Sequence, residues 1–211
     1  PSAPFSMEMS PEGTYLTAVC SEGVLIYSGT DGSLICTLPA RDSALSECVF
    51  AEENRIVYAG DRGVTAYDLD KREALWTGET ATTLAVSGDG TKVAAVNRDE
   101  DRAVVYRISD GEQVAERSFD GRHLSVAEND IFANPQDSIF ELNEDGSLLA
   151  VSFSDGGLVI FDLEDENGDM IMYDDSSAYL FLAYSTLLFL SNCKSIYPSV
   201  FKSSSPIVGF I

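Results

Sequence analysis

The sequence has few basic residues, and this scarcity excludes one large class of function. Its 211 residues include 13 Lys and Arg against 35 Asp and Glu, for a formal net charge of −22. Binding to a phosphate backbone needs clustered basic side chains. We therefore predict no nucleic-acid partner and no direct membrane contact from residues 1–175, whereas a basic protein surface or a calcium ion is compatible with the charge.

Residues for metal-assisted or nucleophilic chemistry are also scarce. His123 is the one histidine, and no C-x-x-C pair occurs among the four cysteines, so the sequence offers no Cys/His zinc set. Phosphate-binding loops of the types G-x-G-x-x-G and G-x-x-x-x-G-K are absent. We therefore predict no catalytic residue and no cofactor, with calcium as the one exception considered below.

Acidic-glycine corners between short apolar segments are abundant. Asp31-Gly32, Asp89-Gly90 and Asp110-Gly111 are three of them. Glycine after an acidic residue supplies the positive φ angles that tight hairpin turns need. No window has a sustained helical period, so the sequence predicts serial antiparallel hairpins and an all-β fold.

One pattern recurs four times along the chain: a turn, an apolar strand, a second turn, and a strand that ends in Tyr or Phe. These aromatic residues lie 40, 39 and 55 residues apart, at Tyr27, Tyr67, Tyr106 and Phe161. The last interval is longer because an extra segment, 121–135, precedes the fourth copy. A period near 40 residues is typical of a four-stranded propeller blade.

We therefore predict an all-β fold, a β-propeller fragment of about four four-stranded antiparallel blades. Propellers of this type close with more blades, so the ring is expected to be incomplete, and the start at Pro1 suggests part of a longer protein. Open blade edges, or the apolar tail, would allow self-association. The predicted units are 5–42, 43–79, 80–120, 121–175 with the insertion 121–135, and 176–211 as a partial fifth blade or irregular tail.

Two segments carry a resemblance to a known superfamily. Residues 87–96 (SGDGTKVAAV) and 143–152 (NEDGSLLAVS) resemble the turn and strand of WD-repeat-like and quinoprotein-like β-propellers. Val64–Asp68 and Leu158–Asp162 resemble the strand that carries Trp-Asp in WD repeats, with Tyr or Phe in place of Trp. Because the Gly-His signature is also missing, the resemblance is to the bacterial type, and it covers residues 5–173.

The resemblance implies a non-enzymatic protein-binding or scaffolding module within a larger bacterial protein. Two alternatives stay open. Leu148–Tyr173 resembles propeller regions of bacterial membrane proteins such as ABC-transporter permeases, which implies an extracytoplasmic sensor domain. A propeller enzyme, whether hydrolase, lyase or quinoprotein, is the other alternative. The compartment is open between the cytoplasm and the extracytoplasmic side of a membrane-anchored protein.

Two segments hold the candidate site residues. Loops on a rigid scaffold commonly carry function, so the insertion 121–135 is the expected recognition loop. Oxygen ligands on a glycine-containing loop suit calcium, although the acidic turn after Asp162 departs from the calcium-loop spacing and also fits a solvated hairpin. The candidate contacts are Arg122, His123 and Phe132, and the candidate calcium ligands are Asp165, Asn167 and Asp169.

Overall fold

The chain folds into antiparallel β-sheets in a computed structural model. The structure describes residues 3–39, 47–60, 63–97, 100–119, 121–122, 140–153, 157–165 and 171–173. In chain order its strands are β1 (Ser6–Met9), β2 (Tyr15–Cys20), β3 (Gly23–Ser28), β4 (Leu34–Leu38), β5 (Cys48–Glu52), β6 (Arg55–Gly60), β7 (Gly63–Asp68), β8 (Glu73–Thr77), β9 (Thr83–Val86), β10 (Lys92–Asn97), β11 (Arg102–Arg107), β12 (Gln113–Ser118), β13 (Phe140–Leu142), β14 (Leu148–Ser152), β15 (Leu158–Asp162) and β16 (Ile171–Tyr173).

These strands form four sheets within the described residues, and each sheet takes four consecutive strands in chain order. The sheets are the blades, numbered 1 to 4, and the first strand of each blade is its inner strand. They do not close into a ring, which confirms the prediction of an all-β incomplete propeller. This part of the chain contains no helix and so none able to cross a membrane.

The repeat in the sequence is also a repeat of strand register. In every blade the aromatic residue near the end of the third strand lies opposite an apolar residue near the start of the second strand. In blades 1 to 3 the pairing with the fourth strand shifts by one residue just before that aromatic residue. The four pairs are Tyr27 with Leu16, Tyr67 with Ile56, Tyr106 with Val93, and Phe161 with Leu149.

The turn before the second strand is fixed by its own side chains. In blade 3 the Ser87 hydroxyl accepts a hydrogen bond from the backbone N–H that begins the strand (3.0 Å), and Asp89 accepts one from the N–H two residues on (3.0 Å). Asn143 and Asp145 make the equivalent contacts in blade 4 (2.8 and 3.0 Å). Such side-chain acceptors replace backbone partners in tight turns.

Each blade has two faces because successive strand residues point to opposite sides. In blades 2 to 4 the upstream face, which includes the aromatic residue of the third strand, packs against the preceding blade. In blades 1 to 3 the downstream face packs against the following blade. Three clusters of buried side chains fill these junctions: Val24 and Ile26 with Ile56 and Tyr58, Val64 and Ala66 with Val93 and Tyr106, and Val96 and Val105 with Leu149 and Phe161.

The turn before the fourth strand uses one left-handed residue in each of blades 1 to 3. Gly32 and Gly111 take it with φ of 71° and 75°, and Arg72 takes it in blade 2 with φ of 57°. Glycine is suited to this conformation because it has no Cβ. Above Gly111 lies Trp76 of blade 2, whose Nε1–H donates to the carbonyl of Ile108 (2.7 Å).

A carboxylate from blade 2 completes the turn of blade 1. Glu53 accepts hydrogen bonds from the Ser10 hydroxyl (2.7 Å) and from the backbone N–H groups of Glu12 (2.5 Å) and Thr14 (3.0 Å). Burial raises the pKa of this carboxyl, but the hydrogen bonds outweigh it and lower the pKa to about 2. The ionised form of Glu53 therefore joins the two blades.

Candidate functional site

The inner strands of the four blades surround a cleft of about 320 Å³. A cavity of this size falls in the range of ligand-binding pockets. Three glutamates line it, Glu8 from blade 1, Glu47 beside β5 of blade 2 and Glu141 from blade 4, and blade 3 contributes Thr83. No Lys, Arg or His is found among its described lining residues, so the cleft is acidic.

Two of the glutamates also connect neighbouring blades. The backbone N–H of Leu84 in blade 3 donates to Glu47 Oε2 (2.7 Å). Burial raises the pKa of Glu8, while a backbone hydrogen bond from Phe50 of blade 2 lowers it in part. These carboxylates accept backbone N–H groups that an inner strand directs away from its own sheet.

Glu141 occupies the place in blade 4 that Glu8 occupies in blade 1. Glu8 lies opposite Thr17 and Glu141 lies opposite Ala150. In each blade that partner directly follows the residue that pairs with the aromatic residue of the third strand. Both side chains therefore belong to the downstream face. Burial raises the pKa of Glu141, as expected for a carboxyl group that loses water without a compensating cation.

Among the described residues of blade 3, Thr83 is the one whose polar side chain lines this cleft. The residue is 7% exposed, and its Oγ1 has no hydrogen-bond partner among the described residues. Buried hydroxyl groups are nearly always paired, and an unpaired one costs free energy. The Thr83 hydroxyl is therefore a buried polar group at the cleft that finds no partner among the described residues.

An apolar strip borders the cleft on blade 1. It consists of Phe5, Met7 and Met9, which are 53%, 64% and 52% exposed, and Met7 also lines the cleft. The equivalent upstream residues of blade 4 are Phe140 and Leu142, 7% and 8% exposed against blade 3. The strip is therefore a stretch of the upstream face that the described residues leave uncovered.

Arg122 is the one predicted contact residue of the insertion that the structure describes. Its guanidinium carbon lies 4.3 Å from the ring centroid of Phe153, and its backbone N–H donates to the carbonyl of Phe119 (2.9 Å). The guanidinium therefore makes a cation–π contact with blade 4. His123 and Phe132 lie outside the described residues, so the recognition loop stays a prediction.

The predicted calcium turn is described only in its first part. Asp165 is exposed, and Asn167 and Asp169 lie outside the described residues. Arg117 of blade 3 donates to the backbone carbonyls of Asp162 (2.6 Å) and Asp165 (3.0 Å), so a guanidinium already takes two of the oxygens in this turn. Within the described ranges no group of three His, Cys, Asp or Glu residues could hold a metal ion, and the calcium site stays a prediction.

The residues of the cleft do not stand out in the sequence. The two strands of the recurring pattern are the second and third strands of each blade, and the short inner strands resemble the segments between copies. One signal was available, since Glu8 and Glu141 each stand two residues before the turn residue, Ser10 or Asn143. Comparing the copies at that position would have brought the two glutamates together.

The four blades and the cleft between their inner strands define the class of protein as a β-propeller. A family model described as outer membrane protein assembly factor BamB matches residues 4–190, and the chain belongs to that family. No curated protein matches the chain. The WD-repeat part of the resemblance stays a prediction.

Proposed function

We propose that this chain is a non-enzymatic propeller module that binds another protein at the rim of its central cleft. The observation that carries the proposal is the exposed apolar strip Phe5, Met7 and Met9 beside the acidic cleft. Apolar side chains grouped next to polar ones are typical of protein interfaces. The complementary partner presents an apolar patch flanked by basic side chains.

Two further findings support binding over catalysis. Glu8 and Glu47 accept backbone hydrogen bonds from the next blade, so these carboxylates have a structural use. The family to which the chain belongs is described as an assembly factor, a function that depends on protein partners. The insertion with Arg122, His123 and Phe132 is the second proposed contact region, because it interrupts the repeat at a place where the other copies have no such segment.

Site-specific photo-crosslinking in the producing cells tests this function. A photo-reactive amino acid replaces Met7 in one variant and Val114, an exposed apolar residue on the outer strand β12, in the control. We expect one reproducible protein adduct at position 7, none at position 114, and loss of the adduct when Met9→Glu is added. No adduct at position 7, or the same adduct at both positions, contradicts the proposal.

A further inference from the structure

The cleft combines three carboxylates with no basic residue among its described lining. Glu8, Glu47 and Glu141 belong to three different blades, so the fold, not the local sequence, brings them to one axis. Carboxylates this close to an apolar wall lose hydration, and an opposing charge or hydrogen-bond donors can compensate for that cost. The backbone N–H groups of Phe50 and Leu84 provide part of this compensation, to Glu8 and Glu47 respectively.

Thr83 is an independent indication of a ligand. It lines the same cleft, it is more than nine-tenths buried, and its hydroxyl oxygen has no partner among the described residues. A threonine hydroxyl can accept a hydrogen bond from a cationic N–H group while its own hydrogen turns towards a carboxylate. An N–H donor that enters the cleft would therefore satisfy a group that is otherwise left unpaired.

The acceptor set favours an organic cation over a metal ion. In the part of the chain that the structure describes, no three acidic, Cys or His side chains lie close enough together to bind a metal. An ammonium or guanidinium carries three to five N–H donors spread over its surface and can reach acceptors that are farther apart. The adjoining apolar strip would contact the hydrocarbon part of such a side chain.

We propose that the central cleft binds the side chain of an arginine or lysine from the partner protein, held by Glu141 and Glu47 with Thr83 as a further acceptor. This inference rests on the proposed function for the source of the side chain. The chemistry of the site itself rests on the cleft alone. The proposed ligand is thus a guanidinium or ammonium group carried by a short apolar segment.

Calorimetric titration of the full chain with acetyl-Leu-Arg-Leu-amide tests the site, with the uncharged citrulline peptide as the matched ligand. The measurement is made at about 150 mM salt so that long-range attraction to the acidic chain is screened. We expect binding of the arginine peptide and none of the citrulline peptide. Glu141→Gln should weaken binding about tenfold, since it removes a charge-assisted hydrogen bond.

Two variants separate this site from general attraction to an acidic protein. Glu73→Gln removes the same charge from an exposed position on the outer strand β8 and should leave affinity unchanged. Thr83→Val removes the hydroxyl at constant shape, and we expect about fivefold weaker binding with an unfolding midpoint that is unchanged or higher. Equal weakening by Glu141→Gln and Glu73→Gln, no effect of Thr83→Val, or no heat with the arginine peptide at about 1 mM overturns the inference.

The two tests fail independently. An adduct at position 7 without peptide binding would leave the proposed function intact and remove the cationic site. Peptide binding without an adduct would leave the site intact and remove the proposed protein partner.

Discussion

Blades 1 and 4 place the same kind of residue at the same position and give it different surroundings. Met7 and Phe140 share a register position on the inner strand, as do Met9 and Leu142. In blade 4 these side chains are buried against blade 3, whereas in blade 1 they are exposed. The repeat therefore determines where a side chain lies, and the neighbouring blade determines whether that side chain is buried or exposed.

The largest contrast is expected when each of these two positions is truncated. Phe140→Ala should lower the free energy of unfolding by about 3–5 kcal/mol, because it leaves a cavity in the junction between blades 3 and 4. Met7→Ala should change it by no more than about 0.5 kcal/mol, because the side chain is mostly in solvent. Urea unfolding of both variants measures the difference. Equal losses would show that Met7 is covered as Phe140 is.

The two turn glycines extend the comparison to blades 1 and 3. A Cβ at Gly111 would lie 2.6 Å from Trp76, whereas a Cβ at Gly32 would meet nothing within 4 Å. Both alanine variants incur the cost of a positive φ, about 1–2 kcal/mol. Gly111→Ala should lose about 1–3 kcal/mol more, because the indole of Trp76 must shift.

A second variant tests the cause of that extra loss. In a Trp76→Ala background, Gly111→Ala and Gly32→Ala should cost the same free energy of unfolding, because the colliding indole is gone. Thermal or urea unfolding of the Trp76→Ala protein and of its two glycine variants measures this. A persistent excess at Gly111 would mean that Trp76 is not the neighbour that matters.

The sequence predicted the parts of this fold that depend on local chemistry. Ser87 and Asp89 close their turn with their own side chains, so the motif can be read from neighbouring letters. The cleft could not be read in this way, because Glu8, Glu47 and Glu141 are far apart in the chain and meet only through the packing of the blades. The exposure of Met7 likewise depends on which surface lies opposite it, and the sequence of a single blade does not reveal that surface.

Acid should weaken the junction between blades 1 and 2 through Glu53. The pKa of Glu53 is about 2 in the folded chain against an ordinary 4.5. A depressed pKa means that its contribution to stability is fully present above pH 4.5 and is lost as the pH falls towards 2. Glu53→Gln should remove this part of the pH dependence. Unfolding free energies of both proteins between pH 5 and about 2 measure it, and parallel curves would contradict the prediction.

Replacing Arg72 with glycine should give a small gain in stability at the turn of blade 2. Arg72 has a positive φ where blades 1 and 3 have glycine. Arg72→Gly relieves this strain, and the larger backbone entropy of glycine in the unfolded chain offsets part of the gain, so we expect about 0.5 kcal/mol of stabilisation. Arg72→Ala keeps the strain and should give no gain. Equal effects of the two variants in urea unfolding would argue against strain at this position.

Hydroxyl-radical footprinting of the purified Met7→Phe variant compares the two inner strands most directly, because it places the same side chain at position 7 as at position 140. If the upstream face of blade 1 is uncovered at its inner strand, the introduced phenylalanine should be modified several times faster than Phe140. Equal protection of the two rings would contradict the account.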